Sequence, residues 1–271
     1  MSATRPTQLL RFRKHQGTAA RDLVVEEEPL ELQIQGASVA VLMRTPGHDE
    51  ELALGFLVTE RVVSSREEVH SLEHCTVVPD PEADENVMRV RLAGDPDIDL
   101  ERLRRNLYAS SSCGVCGKAT IENALRTAPP LDDHTRFDAG MLYALPDKLR
   151  SSQEVFEQTG GLHAAGLFTP EGELVVLRED VGRHNAVDKV VGACLLEGRP
   201  LGGHALLVSG RVSFEIVQKA AAARIPLVAG ISAPSSLAVR LAHALEVTLV
   251  GFLREDSMNV YAGERRLVGA A

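Results

Sequence analysis

The sequence predicts an α/β fold: a C-terminal α/β domain over residues 140–271, preceded by a smaller α+β part over residues 1–139. Three observations predict it. Short apolar runs at 205–208, 225–231 and 247–253 alternate with helical patterns at 185–196, 213–223 and 236–245, joined by short connections. That alternation is the signature of a parallel or mixed sheet covered by helices. The N-terminal third instead shows period-two runs and a single helix before a Ser/Gly-rich stretch. Finally, 271 residues, 44% apolar and 25% charged, match one large or two modest soluble domains that need no disulfide or metal to fold.

Each element follows from local pattern. Residues 22–45 read as β structure: Leu30, Leu32 and Ile34 alternate, Gln35-Gly36 breaks the run, and Val39, Val41 and Met43 alternate again. Thr45-Pro46-Gly47-His48 turns into a helix whose first residues, Asp49-Glu50-Glu51, suit the helix dipole, with Leu52, Phe56 and Leu57 as its apolar stripe. Residues 75–78 and 87–92 form a second strand pair around an acidic loop, 79–86, and 97–107 a charged helix. Residues 110–117 are too rich in Ser and Gly for a regular element. A helical stretch at 147–158 leads to Gly160-Gly161, and strands 162–168 and 173–177 flank the turn Pro170-Glu171-Gly172. The helix at 185–196 presents Val187, Val190, Val191, Cys194 and Leu195.

Several function classes fall away. The longest uncharged stretch, 225–239, contains Pro226 and Pro234 and is shorter than the ~20 apolar residues of a membrane span. The N-terminus carries Arg5, Arg11, Arg13, Lys14 and Arg21 without an apolar core, so it is not a secretory signal but a frayed or edge-pairing basic arm. Four cysteines without such a signal point to a reducing compartment. A net charge of −9 without a basic patch excludes polymeric nucleic acid, and the absence of Trp argues against a base-stacking or carbohydrate surface.

Chemistry concentrates in three places. Cys113-Gly114-Val115-Cys116 lies among serines and is followed by Gly117-Lys118; a neighbouring ammonium and loop N–H groups favour the reactive thiolate. Three readings stand. Half a zinc site needs two more ligands, with only Cys75 and Cys194 remaining. A thioredoxin-like dithiol needs a strand before it, where a charged helix is expected. A persulfide carrier needs one exposed nucleophilic cysteine. Cys75 and Cys194 sit in apolar patterns and read as packed.

The second place is Arg178-Glu179-Asp180-Val181-Gly182-Arg183-His184-Asn185-Ala186-Val187-Asp188-Lys189, between a strand and a helix, where α/β sheets hold ligands. Spacing puts Asp188 on the same helix face as His184, where it would orient the imidazole; an ordinary solvated helix entry is the alternative. His163 is a further candidate. The third is duplicated: Ser209-Gly210-Arg211-Val212-Ser213 and Ser232-Ala233-Pro234-Ser235-Ser236 each join a strand to a helix. Such junctions hold anions at a helix N-terminus, though serine there is also the ordinary N-cap, and together they point to a small phosphorylated ligand.

These residues resemble the formate dehydrogenase accessory sulfurtransferase (FdhD) family. The matching segments are Thr45-Pro46-Gly47-His48-Asp49-Glu50-Glu51-Leu52-Ala53-Leu54-Gly55-Phe56, Ser112-Cys113-Gly114-Val115-Cys116-Gly117, Thr159-Gly160-Gly161-Leu162-His163 and the run from Glu179 to Lys189. Val208-Ser209-Gly210-Arg211, Ser232-Ala233-Pro234-Ser235-Ser236, Gly251-Phe252-Leu253-Arg254 and Asn259-Val260-Tyr261 complete them in order along the chain.

The resemblance implies a cytidine-deaminase-like three-layer α/β/α C-terminal domain and a homodimer. The zinc signature of deaminases is not intact, since Ser112 precedes Cys113, so no tightly bound metal is implied. It further implies a cytoplasmic sulfur carrier. Cys113 accepts persulfide sulfur from a cysteine desulfurase, assisted by Cys116, and passes it to the metal of a bis(molybdopterin guanine dinucleotide) cofactor destined for the formate dehydrogenase catalytic subunit. The molybdenum cofactor is then a bound substrate. Its contacts are expected at Phe252, Leu253, Arg254, Glu255, Asp256 and Ser257 by resemblance, and at Ser209, Arg211, Ser232, Ser235 and His184 by their position at helix starts. A thiol-disulfide oxidoreductase and a non-catalytic molybdenum-cofactor-binding chaperone are the alternatives.

Overall fold

The structure, a computed structural model, describes residues 2–75, 85–94 and 128–269. The N-terminal part contains two separate sheets. Strands β1 (Thr4–Arg13) and β2 (Gln16–Val25) form a two-stranded antiparallel ribbon. Its two-residue turn puts Lys14 and His15 at φ 48° and 71°, the backbone normally given to Asn-Gly. The basic arm is therefore neither frayed nor added to a sheet edge: it pairs with the segment that follows it.

Strands β3 (Glu28–Ile34) and β4 (Ala37–Arg44) turn at Gln35-Gly36 as the break in alternation predicts. They join β5 (Val69–His74) and β6 (Val87–Leu92) in a sheet of order β4-β3-β6-β5. Strand β5 ends at His74; of the strand expected at 75–78 only Cys75 is among the described residues, and the helix expected at 97–107 lies outside them.

Helix α1 (Asp49–Thr59) lies on that sheet with Leu52, Leu54 and Leu57 against Leu30, Leu32, Ile34 and Met88. It has no polar side, because its opposite face is covered as well, by α5 (Arg183–Leu196). Two glycines set the approach. A Cβ at Gly55 would sit 1.8 Å from the carbonyl oxygen of Asp188, and one at Gly192 would sit 1.8 Å from that of Glu51. Backbone therefore meets backbone, which no larger residue permits.

The C-terminal part is a six-stranded sheet of order β13-β12-β11-β10-β8-β9. Strands β8 (His163–Phe168) and β9 (Leu174–Asp180) form a hairpin. The parallel centre is β10 (Ala205–Val208), β11 (Leu227–Gly230) and β12 (Thr248–Gly251), and β13 (Asn259–Ala262) closes the edge antiparallel to β12. Alternate residues serve opposite faces. Leu206, Val208, Val228 and Leu249 pack with α5, α6 (Phe214–Ala222) and α7 (Ser236–Ala244). Leu207, Leu227, Ala229 and Val250 pack with Phe137, Leu142, Leu145 and Leu149 of the segment before the sheet. The result is three layers, helix on sheet on helix.

That second layer comprises β7 (Phe137–Asp138), α2 (Ala139–Tyr143), α3 (Leu145–Ser151) and α4 (Glu154–Thr159). The stretch read as one helix over 147–158 is two, interrupted at Ser152-Gln153. The second is restarted by the Glu179 carboxylate, which accepts from the N–H groups of Val155 (2.9 Å) and Phe156 (2.8 Å). A short parallel pairing of β7 with β14 (Leu267–Val268) ties the two ends of this part together. Among the described residues no helix is long and apolar enough to cross a membrane.

Candidate functional site

The parallel strands β10, β11 and β12 all end at one rim of the sheet, so the segments following them, 209–213, 231–235 and 252–257, converge there. Carboxyl ends of parallel strands are where open α/β sheets bind ligands. The convergence is hydrogen-bonded: Val212 N–H donates to Ala233 O (3.2 Å), Ser235 N–H to Val212 O (3.0 Å) and Phe252 N–H to Ser232 O (3.2 Å).

The serines have ordinary duties at this rim. Ser209 Oγ accepts from Ala164 N–H (2.9 Å) and Ser235 Oγ caps α7 by accepting from Ala238 N–H (3.2 Å). Each hydroxyl still has its own proton to donate. Ser232 lends its carbonyl to Phe252, and Arg211 is exposed.

After β12, Phe252 takes φ 52°, which leaves its side chain 41% exposed at the rim. Leu253 turns inward and is fully buried in the second-layer core, so its side chain offers a ligand no surface. A tight turn follows, closed by Arg254 N–H to Ser257 O (2.8 Å), with the Arg254 guanidinium donating to Ile231 O (2.5 Å). Glu255, Asp256 and Ser257 are exposed at its tip, where Ser257 Oγ donates to Asp256 (3.1 Å).

His163, Arg183 and His184 reach the same rim from β8 and α5. A Cβ on Gly210 would lie 3.2 Å from His163 Nδ1 and 3.7 Å from Arg183 Cδ, so both side chains come up to the glycine. The Nε of Arg183 is buried without a hydrogen-bond partner. His184 Nε2 meets Ser213 Oγ, the N-cap of α6, at 3.3 Å. Burial, reinforced by Arg183 and Lys219, pushes His184 down to about 4. Burial and Arg183 also lower His163, against the pull of Asp180. Both imidazoles are thus neutral near pH 7 and act there as hydrogen-bonding groups. A cleft of about 560 Å³ opens beside them, lined by Arg150, Phe156, Gly161, His163, Ser209 and Ile231, with the Arg150 guanidinium 4.4 Å from the centre of the Phe156 ring.

The expected pairing of His184 with Asp188 does not occur. Asp188 points away from the rim into the α1 interface, where Thr59 Oγ1 donates to it (2.7 Å) and Lys219 Nζ pairs with it (2.9 Å). Burial pushes this carboxyl up to about 6 although Lys219 and Thr59 pull it down. Its neighbours in the motif are structural too. Asp180 pairs with Lys189 (2.7 Å) and accepts from Thr45 N–H (3.1 Å), Gly182 N–H (2.8 Å) and Asn185 Nδ2 (2.9 Å). Lys189 donates to Thr45 O (2.8 Å) and Asn185 to Met43 O (2.7 Å). The run from Glu179 to Lys189 therefore clamps the turn into α1, leaving Arg183 and His184 to face the rim.

Cys113, Cys116 and Lys118 lie outside the described residues. Cys194 is buried, and burial pushes its thiol up to about 11, away from thiolate chemistry; Cys75 is buried as well. Sequence reasoning did not single out the Arg150–Phe156 pair, and it named Arg183 and Ser213 only within longer motifs. The motifs that hold Arg183 and Ser213 were the signal that could have found them; Arg150 and Phe156 left none. As a whole the rim offers arginines, hydroxyls and neutral imidazoles to an anion and an exposed ring to a planar group.

Comparison with known proteins gives the same answer at three levels. The model of the FdhD/NarQ family matches residues 25–268. A protein of Mycolicibacterium paratuberculosis named sulfur carrier protein FdhD is 52% identical over 260 residues, 93% of this chain and 94% of its own. One of Streptomyces avermitilis with the same name is 51% identical over 272 residues, covering 97% and 95%. The crystal structure of a protein described as a formate dehydrogenase accessory protein, from Desulfotalea psychrophila, superposes with a TM-score of 0.78 at 25% identity, covering 98% of this chain and all of that one.

Proposed function

The chain belongs to the FdhD/NarQ family, and from that premise we propose that it is a cytoplasmic sulfur carrier that equips a formate dehydrogenase. The observation that carries the reading is half-identity, over nearly the whole of both chains, to relatives named sulfur carriers. The Cys113-Gly114-Val115-Cys116 pair supplies the chemistry such a role needs.

In this reading the Cys113 thiolate attacks the outer sulfur of a persulfide on a cysteine desulfurase. A sulfur–sulfur bond forms on Cys113 and the donor leaves as its thiolate, so no electrons are gained or lost. Release needs two electrons, and Cys116 supplies them. Its thiolate attacks Cys113 Sγ, the outer sulfur departs as sulfide, and a Cys113–Cys116 disulfide remains for a cellular thiol to reduce. The sulfide becomes a ligand of the metal in the bis(molybdopterin guanine dinucleotide) cofactor, which is cargo here.

The rim at the strand ends suits that cargo. Arg183, Arg211 and the hydroxyls of Ser209, Ser213 and Ser235 complement its phosphates, and the exposed ring of Phe252 offers a stacking face for a planar heterocycle. The neutral imidazoles of His163 and His184 add no positive charge and serve as directional partners.

The test is mass spectrometry of the full chain after incubation with a cysteine desulfurase and cysteine. One additional sulfur on Cys113, lost in Cys113→Ala together with activation of a formate dehydrogenase, is the expected result. A disulfide oxidoreductase would show only loss of two hydrogens across the pair. A chaperone that merely holds the cofactor would show no change, and either result rejects sulfur carriage.

A further inference from the structure

The cleft beside His163 has no task in the reading above, yet one of its walls carries an unused hydrogen-bonding group. Helix α3 stops and α4 starts at Ser152-Gln153, and Gln153 holds the N-cap position of α4. An N-cap side chain ordinarily accepts from the first amides of its helix. Here the Glu179 carboxylate takes the Val155 and Phe156 N–H groups, and the Gln153 side chain makes no capping bond. Gln153 lines the cleft, is only 5% exposed, and its carboxamide meets no protein donor or acceptor among the described residues. A carboxamide withdrawn from water and left unpaired costs folding free energy, so its persistence at a cleft points to a partner that arrives from outside.

The rest of the lining narrows the chemistry of that partner. Arg150 is the cation of the cleft, and its charge is already balanced: Glu157 pairs with it (2.8 Å) and the guanidinium lies over the Phe156 ring. His163 is neutral near pH 7, and its ring makes no hydrogen bond among the described residues. Ser209 Oγ accepts from Ala164 N–H and keeps a proton to donate. Leu162 and Ile231 add apolar surface. The cleft thus suits a neutral ring with a polar edge better than a phosphate. Its volume of about 560 Å³ admits a fused two-ring heterocycle and lies in the usual range of small-ligand sites.

A carboxamide sets one donor and one acceptor side by side, and a cyclic lactam presents the complementary pair. The two can meet at two points, as side-chain amides do at base edges. Two rings of the proposed cargo, guanine and the pterin, share such a lactam with an amine next to its N–H. We propose that the cleft is the subsite for the 2-amino-lactam edge of one of these rings, with the Gln153 carboxamide paired to the lactam and the His163 imidazole accepting from the amine. The inference rests on the cargo reading and divides its ligand: ring edge in the cleft, phosphates at the arginines and serines of the rim.

Titration calorimetry of the full chain with GDP, with free pterin and with inorganic pyrophosphate tests this division. Gln153→Leu should weaken the ring ligand about tenfold, the worth of one two-point pair, and leave pyrophosphate binding unchanged. Loss confined to GDP assigns the cleft to guanine, and loss confined to pterin assigns it to the pterin. Affinities for both rings that Gln153→Leu leaves intact, an equal loss for pyrophosphate, or a wild type that binds pyrophosphate but neither ring overturns the subsite while the cargo reading stands. A wild type that binds none of the three overturns both. If Gln153→Leu does not fold, hydrogen exchange of the wild type decides: the ring ligand should protect peptides spanning residues 150–163, and protection confined to 252–257 overturns the proposal.

Discussion

His184 shows how much one side chain's surroundings decide. It is held near 4 by burial and by the cations Arg183 and Lys219, against about 6.5 for an exposed imidazole. Between those values the unfolded chain binds a proton that the folded chain does not. Its contribution to stability is therefore complete above about pH 6.5 and is lost as pH falls toward 4, by roughly 1–3 kcal/mol. Asp188 works in the opposite sense, because burial raises it to about 6, and its contribution fades as pH rises through that value. The two partly cancel in the wild type, so the informative quantity is a difference. His184→Gln should remove the acid-side loss and leave the Asp188 contribution unopposed, so that its urea midpoints rise relative to those of the wild type as pH falls from 6.5 to 4. Identical slopes for both proteins would mean that His184 is not held neutral.

At the scale of elements, the contact of α1 with α5 rests on Gly55 and Gly192. Gly192→Ala places a methyl carbon where the Glu51 carbonyl oxygen stands, and neither backbone can retreat without opening the helix pair. Such overpacking costs about 3 kcal/mol, read as a lower urea midpoint with unchanged slope. Gly198→Ala is the control. It sits at φ 65° in open space and should cost only about 1 kcal/mol for its backbone. Equal losses would mean that the helices are not held at backbone distance.

The same elements show what the sequence makes legible. The alternation from β10 to β12 is plain because each strand is buried on both faces and each helix begins at a serine. The rim of the site is legible with it, as the place where those strands become helices. The β1–β2 ribbon is not, because it buries no face to impose alternation and turns on Lys14-His15 without glycine or asparagine. Nor are the partners of Asp180 and Asp188. Thr45 and Thr59 lie more than a hundred residues away, and helix spacing suggested the nearer His184 instead.

Across the whole molecule, the boundary suggested by composition is bridged by buried charge. Arg44 holds Asp49 in a two-point contact (3.0 and 2.9 Å) at the start of α1. Asp180 and Lys189 grip Thr45, and at the far end of α1 Lys219 of α6 bonds Asp188, Thr59 and Glu60 at 2.9, 3.0 and 2.8 Å. Helix α1 thus belongs to both cores, with one face on the four-stranded sheet and the other on α5. Neither core can open without exposing an unpaired buried ion or stripping α1 of half its packing, so the described parts should unfold together. Lys219→Met tests this, since it leaves Asp188 without its counter-charge and should cost about 3–5 kcal/mol. The chain has no tryptophan, so calorimetry and hydrogen exchange are the suitable observations. The expected result is one endotherm shifted as a whole, with faster exchange in peptides from both β3–β5 and β10–β12. Adding Asp188→Asn should recover part of the loss by removing the stranded charge. Two endotherms, with only one moved by Lys219→Met, would show instead that the two cores are separate folding units that merely share a helix surface.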